Sequence, residues 1–354
     1  MTRIVLAYSG SLEGSAAIDW LRRRHAAEIA TVTLDLGQGR ELEAIRDRAL
    51  ALGAHRAHVL DARDQFAQQF VLPALRADAL HDGRVPMALA LSRPVIAEKL
   101  VELAGFERAD AVAHTGEAPS RSSPLDRLLA TLAPKIRVLT PSREWGLTAA
   151  DVLAFAVRHG FGSLSDKAAR VDSNFWGRSL RTVLGAAAPS TFVPRAPEAC
   201  PAEPALVDVT FTRGAPTALN GVSMPLIELV GSLGTLAATH GVGHMSNERL
   251  LCDAPAAVLL HAAHRDLTRL ASTAEVEEFS TAARSEYIGL VEEAGWFSPL
   301  RTALDAYFTA AQEPVNGHVR LRLFKGEHAI VSAEPSTPPS GAQPLRIVSS
   351  NTKH

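Results

Sequence analysis

The segment with the clearest chemical content is Ala7-Tyr8-Ser9-Gly10-Ser11-Leu12-Glu13-Gly14-Ser15. It follows the β-favouring run Arg3–Tyr8 and opens a helical pattern, Ser15–Arg24. Where a strand turns into a helix, the first backbone N–H groups converge and the helix dipole favours negative charge, so phosphate oxygens are natural guests. Small residues let the backbone approach such an anion closely. Ser9 and Ser15 add hydroxyl donors, and Glu13 offers a carboxylate that can hold Mg²⁺. On residue types alone, a plain tight turn is the alternative reading.

Other reactive residue types carry weaker signals. His261 and His264 can share a helix face, and His55 and His58 flank a strand, but no carboxylate cluster stands at ligand spacing, so structural or surface roles are expected. Cys252 reads as a packing residue because nothing nearby in sequence lowers its pKa. Trp176 and Trp296 sit among apolar residues and are expected in the core. The chain has two cysteines in all, which supports neither a disulfide framework nor a thiolate metal site.

The phosphate-type loop needs a rigid frame, and the first 160 residues supply the pattern of one. Arg3–Tyr8, Ile29–Leu34, Ala57–Leu60, Ala109–Ala113 and Ile136–Leu139 read as strands. The first shows no polar alternation, as in a strand buried on both faces. Helical patterns separate them, including Leu42, Ile45, Ala49 and Leu52 on one face, Gln65–Leu75 and Pro94–Ala104. Thr148 with Asp151 resembles a capping box opening a helix that ends near Gly160. Alternating strand and helix implies right-handed crossovers and a parallel sheet. The expected class is α/β, with an N-terminal Rossmann-like sheet followed by an α+β domain.

The second half reads differently. Ala186–Pro204 is an Ala/Pro-rich connector, Val207–Arg213 alternates as a half-exposed strand, and Asn220-Gly221 signals a hairpin. Helices are expected near Pro225–Thr239, Ala254–Leu270 and Thr273–Gly295, then a strand pair, Val319–Phe324 and His328–Ser332, around Lys325–Glu327. The boundaries expected are 1–165, 166–332 and a Pro-rich disordered tail, 333–354. A net charge of −2 without basic clusters argues against nucleic acid as a partner. No run reaches the roughly 18 apolar residues of a membrane span, and no secretory leader is evident, so a cytoplasmic soluble protein is expected.

The loop SGSLEGS resembles the SGGLDTS loop of the N-type ATP pyrophosphatases, and within them the chain resembles argininosuccinate synthase over residues 3 to about 332. The resemblance runs through LDLGQGRELE (Leu34–Glu43), VLPALRADALHDGR (Val71–Arg84), SRPVIAEKLVE (Ser92–Glu102), ADAVAH (Ala109–His114), LAPKIRVLTPSREWGLT (Leu132–Thr148), NFWGRS (Asn174–Ser179), GVGH (Gly241–His244), WFSPLRTALDA (Trp296–Ala306) and GHVRLRLFKG (Gly317–Gly326). It implies ATP and Mg²⁺ as cofactors and AMP-forming joining of two small amino-acid-like substrates, citrulline and aspartate in the family. It also implies site roles. Ala7, Tyr8, Ser9, Gly10, Ser11, Glu13, Gly14, Ser15, Leu34, His114 and Gly116 would hold ATP. Glu13 and Arg93 would act in catalysis, with Glu13 on the metal, and Thr115, Ser120, Arg121, Arg170, Ser179 and Glu248 would face the substrates.

The departures from the family pattern are specific. In the loop, Ser11 stands for Gly, Glu13 for Asp and Gly14 for Thr. GRVPMALALSRP replaces GRYPLATALARP, so substrate-facing Tyr and Thr become Val85 and Leu89. The family's HGCTGKGNDQVRFE is shortened here, with Ser120, Arg121 and Pro124 at its Asn, Asp and Arg. Arg121 reads equally as an anion ligand or a solvated loop residue. A citrulline-binding Ser becomes Arg170, while Ser179 is retained. The family's long C-terminal arm is replaced by the Pro-rich tail, so a homo-oligomer is expected as a dimer rather than a tetramer. Two functions remain open: an AMP-forming ligase with substrates other than citrulline and aspartate, or a catalytically impaired paralogue that binds or regulates.

Overall fold

A computed structural model of the chain describes residues 2–39, 42–116, 123–160, 170–181, 192, 195–246 and 250–336. Their contacts divide the chain into two units. The first joins Met1–Phe66, Ala90–Ala168 and Val291–Phe297, and the second joins Ala67–Leu89, Ala169–Leu290 and Ser298–His354. In chain order the elements begin with β1 (Arg3–Ala7), α1 (Leu12–His25), β2 (Glu28–Asp35), α2 (Leu42–Ala51), β3 (Arg56–Asp61) and α3 (Arg63–Phe66). A π-helical stretch (Ala67–Val71) leads to α4 (Leu72–Arg76), the short strands β4 (Leu80–His81) and β5 (Val85–Pro86), and α5 (Ala88–Glu107). Then come β6 (Ala111–Ala113), α6 (Pro124–Leu132), β7 (Arg137–Leu139), α7 (Pro141–Glu144) and α8 (Ala149–Arg158).

The first unit carries a five-stranded sheet in the order β3-β2-β1-β6-β7. Every pairing in it is parallel. Ile4, Leu6 and Tyr8 of β1 pack with Ile18 and Leu21 of α1 and Ile45 and Ala49 of α2 in one buried cluster. Val5 is equally buried, so the central strand is covered on both faces, as its unbroken apolar run predicts. The five strands expected from the sequence are all present. Thr148 and Asp151 form the expected capping box at the start of α8. A second capping box, Ser123 with Asp126, opens α6, which the sequence reading did not mark.

Two helices differ from expectation. The pattern placed Pro94 at a helix start, yet α5 begins at Ala88 and runs through Pro94. Its apolar residues outweigh the loss of one intrahelical bond at the proline. The expected helix Gln65–Leu75 is interrupted by the π-helical turn, where one extra residue per turn shifts the buried face.

The second unit continues with β8 (Arg170–Asn174), β9 (Gly177–Arg181), β10 (Ala205–Thr212), β11 (Ala215–Leu219), β12 (Val222–Ser223), α9 (Leu226–Thr239), β13 (His244–Ser246), β14 (Leu250–Asp253), α10 (Pro255–Ala271), α11 (Ala274–Glu292), α12 (Pro299–Ala311), β15 (Gly317–Phe324) and β16 (Glu327–Pro335). One antiparallel sheet runs β12-β11-β10-β15-β16 and a second runs β13-β14-β9-β8. Along β15, Val319, Leu321 and Leu323 are buried while His318, Arg320 and Arg322 are exposed, the alternation of a sheet with one wet face. Asn220-Gly221 makes the expected two-residue turn between β11 and β12, both residues at positive φ. β16 extends to Pro335, so three residues that the sequence assigned to the tail pair with β15. The four-stranded sheet was not foreseen, because β8 is largely polar and the paired strands β9 and β14 lie far apart in sequence.

Trp176 and Trp296 are buried as expected. Cys252 is buried too, and burial together with the Asp253 charge pushes its thiol up to about 12, which makes it a poor nucleophile. The second unit is organised around Asp78, a buried carboxylate at φ 49. It accepts from His261 Nδ1 at 2.9 Å and from Arg265 Nε at 2.8 Å, with Arg284 Nε 3.8 Å away. Burial alone would raise its pKa, but the His261 and Arg265 hydrogen bonds and charges outweigh that and hold it well below the usual carboxylate range. A depressed carboxylate contributes stability that is present above the unfolded-state pKa and lost as pH falls toward the folded one. Asp78→Ala is therefore expected to cost about 3–5 kcal/mol at pH 7 in a denaturant titration. The melting temperature of Asp78→Asn should fall less steeply than that of the parent as pH drops below the ordinary carboxylate range. Parallel curves would remove Asp78 from this role.

Candidate nucleotide site

β1 is the strand at which the order of the parallel sheet reverses, since the chain winds out through β2 and β3 on one side and through β6 and β7 on the other. At such a switch point the loops leaving the two central strands diverge and leave a crevice at their carboxyl ends. Here those loops are Tyr8–Ser11 after β1 and His114–Gly116 after β6. The structure thus brings together two segments more than 100 residues apart, both marked by the sequence reading.

The β1 loop is held by a chain of hydroxyls. Ser15 Oγ donates to Ser11 O at 2.8 Å, which leaves the Tyr8 hydroxyl to donate to Ser15 Oγ at 2.9 Å. Tyr8 and Ser15 are both buried, and burial pushes the Tyr8 phenol above its usual pKa. Gly10 sits at φ 77 above Ile45, whose Cγ1 would lie 3.0 Å from an added Cβ, so both conformation and space require glycine there. Ser11 is the N-cap of α1, and its Oγ accepts from Gly14 N at 3.1 Å. Leu12 and Glu13 keep first-turn N–H groups with no intrahelical acceptor. Glu13 is exposed at this turn. The free N–H groups suit phosphate oxygens, and the exposed Glu13 carboxylate is the kind of ligand Mg²⁺ takes together with such oxygens. Among the described residues no group of three or more His, Cys, Asp or Glu forms a metal cluster.

Ser15 was expected to offer a hydroxyl to phosphate, but here its proton is committed to Ser11 O. Ser11 was expected to lie against the anion, and its hydroxyl instead takes one of the helix N–H groups. A Cβ on residue 14 would lie 3.0 Å from both Ser11 Oγ and Tyr8 Cδ2. Serine at 11 and glycine at 14 therefore fit one another, since any side chain at 14 would crowd the Ser11 hydroxyl.

The β6 loop is fixed by Asp126. His114 Nδ1 accepts from Gly116 N at 3.2 Å, so its ring proton lies on Nε2 and is donated to Asp126 Oδ1 at 2.7 Å. The same carboxylate accepts from Ser123 N and from Arg143. Burial opposes ionisation of Asp126, yet its bonds to His114, Arg143 and the Ser123 N–H prevail and hold its pKa well below the usual range. The Gly116 backbone is thereby fixed at the crevice by a buried histidine.

Leu34 ends near the same edge, where its carbonyl accepts from Gln38 Nε2 at 2.6 Å. Gln38 Oε1 accepts from Leu36 N, which closes the turn after β2. Arg93 is half-buried on α5 in the first unit, and Ala7 is the last residue of β1. Ser120, Arg121 and Glu248 lie outside the described residues. In the second unit, Ser179 on β9 is buried and pairs with Asp172, two residues beyond Arg170 on β8. Asn174 closes that hairpin, its Oδ1 accepting from the N–H groups of Trp176 and Gly177. Val85 and Leu89 are half-buried at β5 and the start of α5.

Sequence reasoning missed Arg48, Gln38, Asp126 and Arg143. Arg48 of α2 donates to Gly10 O at 3.3 Å and so brings a positive charge to the loop. Its signal was available only in part: it follows Ile45 by three residues, one helical turn, and Ile45 is the residue beneath Gly10. A double-mutant cycle tests the local fit. Gly14→Thr alone should lower stability, and Ser11→Gly with Gly14→Thr should recover roughly 1 kcal/mol of coupling in denaturant titrations. Additive effects would show that the two positions are independent.

Residues 3–162 match the model of the arginosuccinate synthase N-terminal HUP domain, and residues 170–338 match that of the arginosuccinate synthase C-terminal domain. The argininosuccinate synthase of Rubrobacter xylanophilus is 39% identical over 347 residues, covering 93% of this chain and 84% of the relative. Those of Streptococcus thermophilus and Oceanobacillus iheyensis are each 36% identical over 351 residues, covering 94% of this chain and 87% and 84% of the relatives. The chain belongs to the argininosuccinate synthase family of ATP-dependent ligases.

Proposed function

We propose that the chain is an AMP-forming ligase that activates a ureido or carbonyl oxygen as an adenylate and joins it to an amino-acid amine, using a pair other than citrulline and aspartate. The observation that carries this reading is the pair of loops at the switch point, with the Leu12 and Glu13 N–H groups open at the first turn of α1. They would bind the phosphates of ATP, with Glu13 on Mg²⁺ and the Arg48 guanidinium adding positive charge beside Gly10. Mg²⁺, when bound, neutralises charge on the leaving pyrophosphate. The chain's own contribution is positioning: the Tyr8–Ser15–Ser11 hydroxyl chain fixes one loop, and the Asp126–His114 pair fixes the other.

A changed substrate pair is supported by the residues that the family uses to face its amino acids. The Val85 and Leu89 side chains are apolar where the family has Tyr and Thr, and Arg170 adds a cation where it has Ser. Loss of a hydrogen-bonding partner in a buried site commonly costs several kcal/mol of discrimination. The second reading, an impaired paralogue that binds or regulates, is favoured by one observation: Ser11 Oγ occupies the Gly14 N–H and Ser15 Oγ is turned inward, which removes two donors from the phosphate loop.

Pyrophosphate release from ATP and Mg²⁺, assayed over ureido and carbonyl acceptors combined with amino acids, tests the first reading. Release with a pair other than citrulline and aspartate is expected. Turnover only with citrulline and aspartate would overturn the changed specificity, and no ATP binding by calorimetry would sink the ligase reading altogether. Ser11→Gly should tighten ATP binding roughly tenfold, the worth of one hydrogen bond to a charged group. Unchanged affinity would mean that the Gly14 N–H is not part of the phosphate site.

A further inference from the structure

Arg76, the last residue of α4, is half-buried and makes no hydrogen bond or ion pair among the described residues. Its Nε is fully buried and without a partner. Burial, and then repulsion by Arg213, lower its pKa, with Glu313 opposing. Arg76 lines a cavity of about 10 Å³ together with His264 and Thr268 of α10. His264 Nδ1 and Thr268 Oγ1 are likewise buried without partners. Three residues that line one cavity thus each carry a buried polar atom without a partner, which would cost several kcal/mol if nothing satisfied them.

Charge decides what kind of occupant fits. Arg76, Arg265 and Arg284 line the cavity with Asp78 and Glu277, three guanidiniums against two carboxylates. Asp78 is already engaged by His261 and Arg265. His264 is pushed down to about 4 by its burial and is neutral at pH 7. A surplus of one positive charge remains, and it belongs with Arg76, the cation that has no bonded partner. A cavity of this size holds one small guest, a water molecule or a monatomic ion, and excludes polyatomic ones. Water would satisfy the orphan atoms but add no negative charge against the three guanidiniums.

We propose that this cavity in the second unit, between Arg76 of α4 and His264 and Thr268 of α10, binds a halide-sized monovalent anion that stabilises the fold. Arg76 Nε and the Thr268 hydroxyl donate to the anion. His264 joins them as the Nδ1–H tautomer, with the Gln312 amide turned to donate to Nε2 across the existing 2.8 Å contact. Without the anion, the Nε2–H tautomer donating to Gln312 Oε1 is the stable one.

Crystals of the full chain grown in sodium bromide test the site by anomalous scattering, with a bromide peak in hydrogen-bonding distance of Arg76 Nε as the expected result. In solution, replacing gluconate by chloride or bromide at matched ionic strength should raise the Tm by about 2–4 °C. Nitrogen-15 NMR should show the His264 proton moving from Nε2 to Nδ1 over the same titration. Arg76→Met should abolish the halide effect, and Thr268→Val should weaken the halide midpoint severalfold if Arg76→Met does not fold. Phosphate, too large for the cavity, should not substitute. A water without anomalous signal at the cavity, or an equal halide response in parent and Thr268→Val, would overturn the proposal.

Discussion

The constraint on which the candidate site depends is the reversal of strand order at β1. A parallel sheet wound outward in both directions from one strand cannot cover the carboxyl ends of its two central strands, because the loops leaving them part to opposite faces. In this chain β1 and β6 are those strands. The loop after β1 feeds α1 and presents a helix N-terminus, and the loop after β6 presents the Thr115–Gly116 backbone. The crevice is a consequence of topology, and the side chains around it set what it can hold.

A carboxylate drawn partly or wholly out of water fixes each unit locally, Asp126 half-buried in the first and Asp78 buried in the second, and they do so by the same physics. Asp126 and Asp78 each lose hydration and recover it through a histidine, an arginine and further donors, so both remain ionised. Asp126 secures the loop that follows β6, and Asp78 ties α4 to α10 and α11. A carboxylate with three or more directed donors accepts few alternative geometries, so these hubs trade desolvation for a defined position. Arg76 is the exception in the second unit, a half-buried cation beside Asp78 that the network leaves out.

Much of the first unit was legible in the sequence because its strands are unbroken apolar runs and its helices carry a single apolar face. Ile4–Leu6 and Ile29–Val32 need no tertiary information to be read as buried parallel strands. The four-stranded sheet of the second unit was not legible: Arg170–Asn174 is polar, and the paired strands β9 and β14 are separated by about 70 residues of chain. The π-helical turn at Ala67–Val71 was hidden too, since local composition does not distinguish it from an α-helix. At the candidate site the loop residues were found by type and spacing, but their pairings were not. That Ser15 turns inward, that Ser11 caps α1, and that Asp126 sets the tautomer of His114 depend on distances that no spacing rule contains.

The account rests on the claim that the switch-point loop holds the phosphates of ATP despite Ser11 and Gly14. A crystal structure of the chain with ATP and Mg²⁺ tests this most directly. Ordered phosphate oxygens on the Leu12 and Glu13 N–H groups, with Mg²⁺ on Glu13, are the predicted result. Nucleotide bound elsewhere, or a loop that keeps its present hydrogen bonds and excludes nucleotide at saturating ATP, would contradict it.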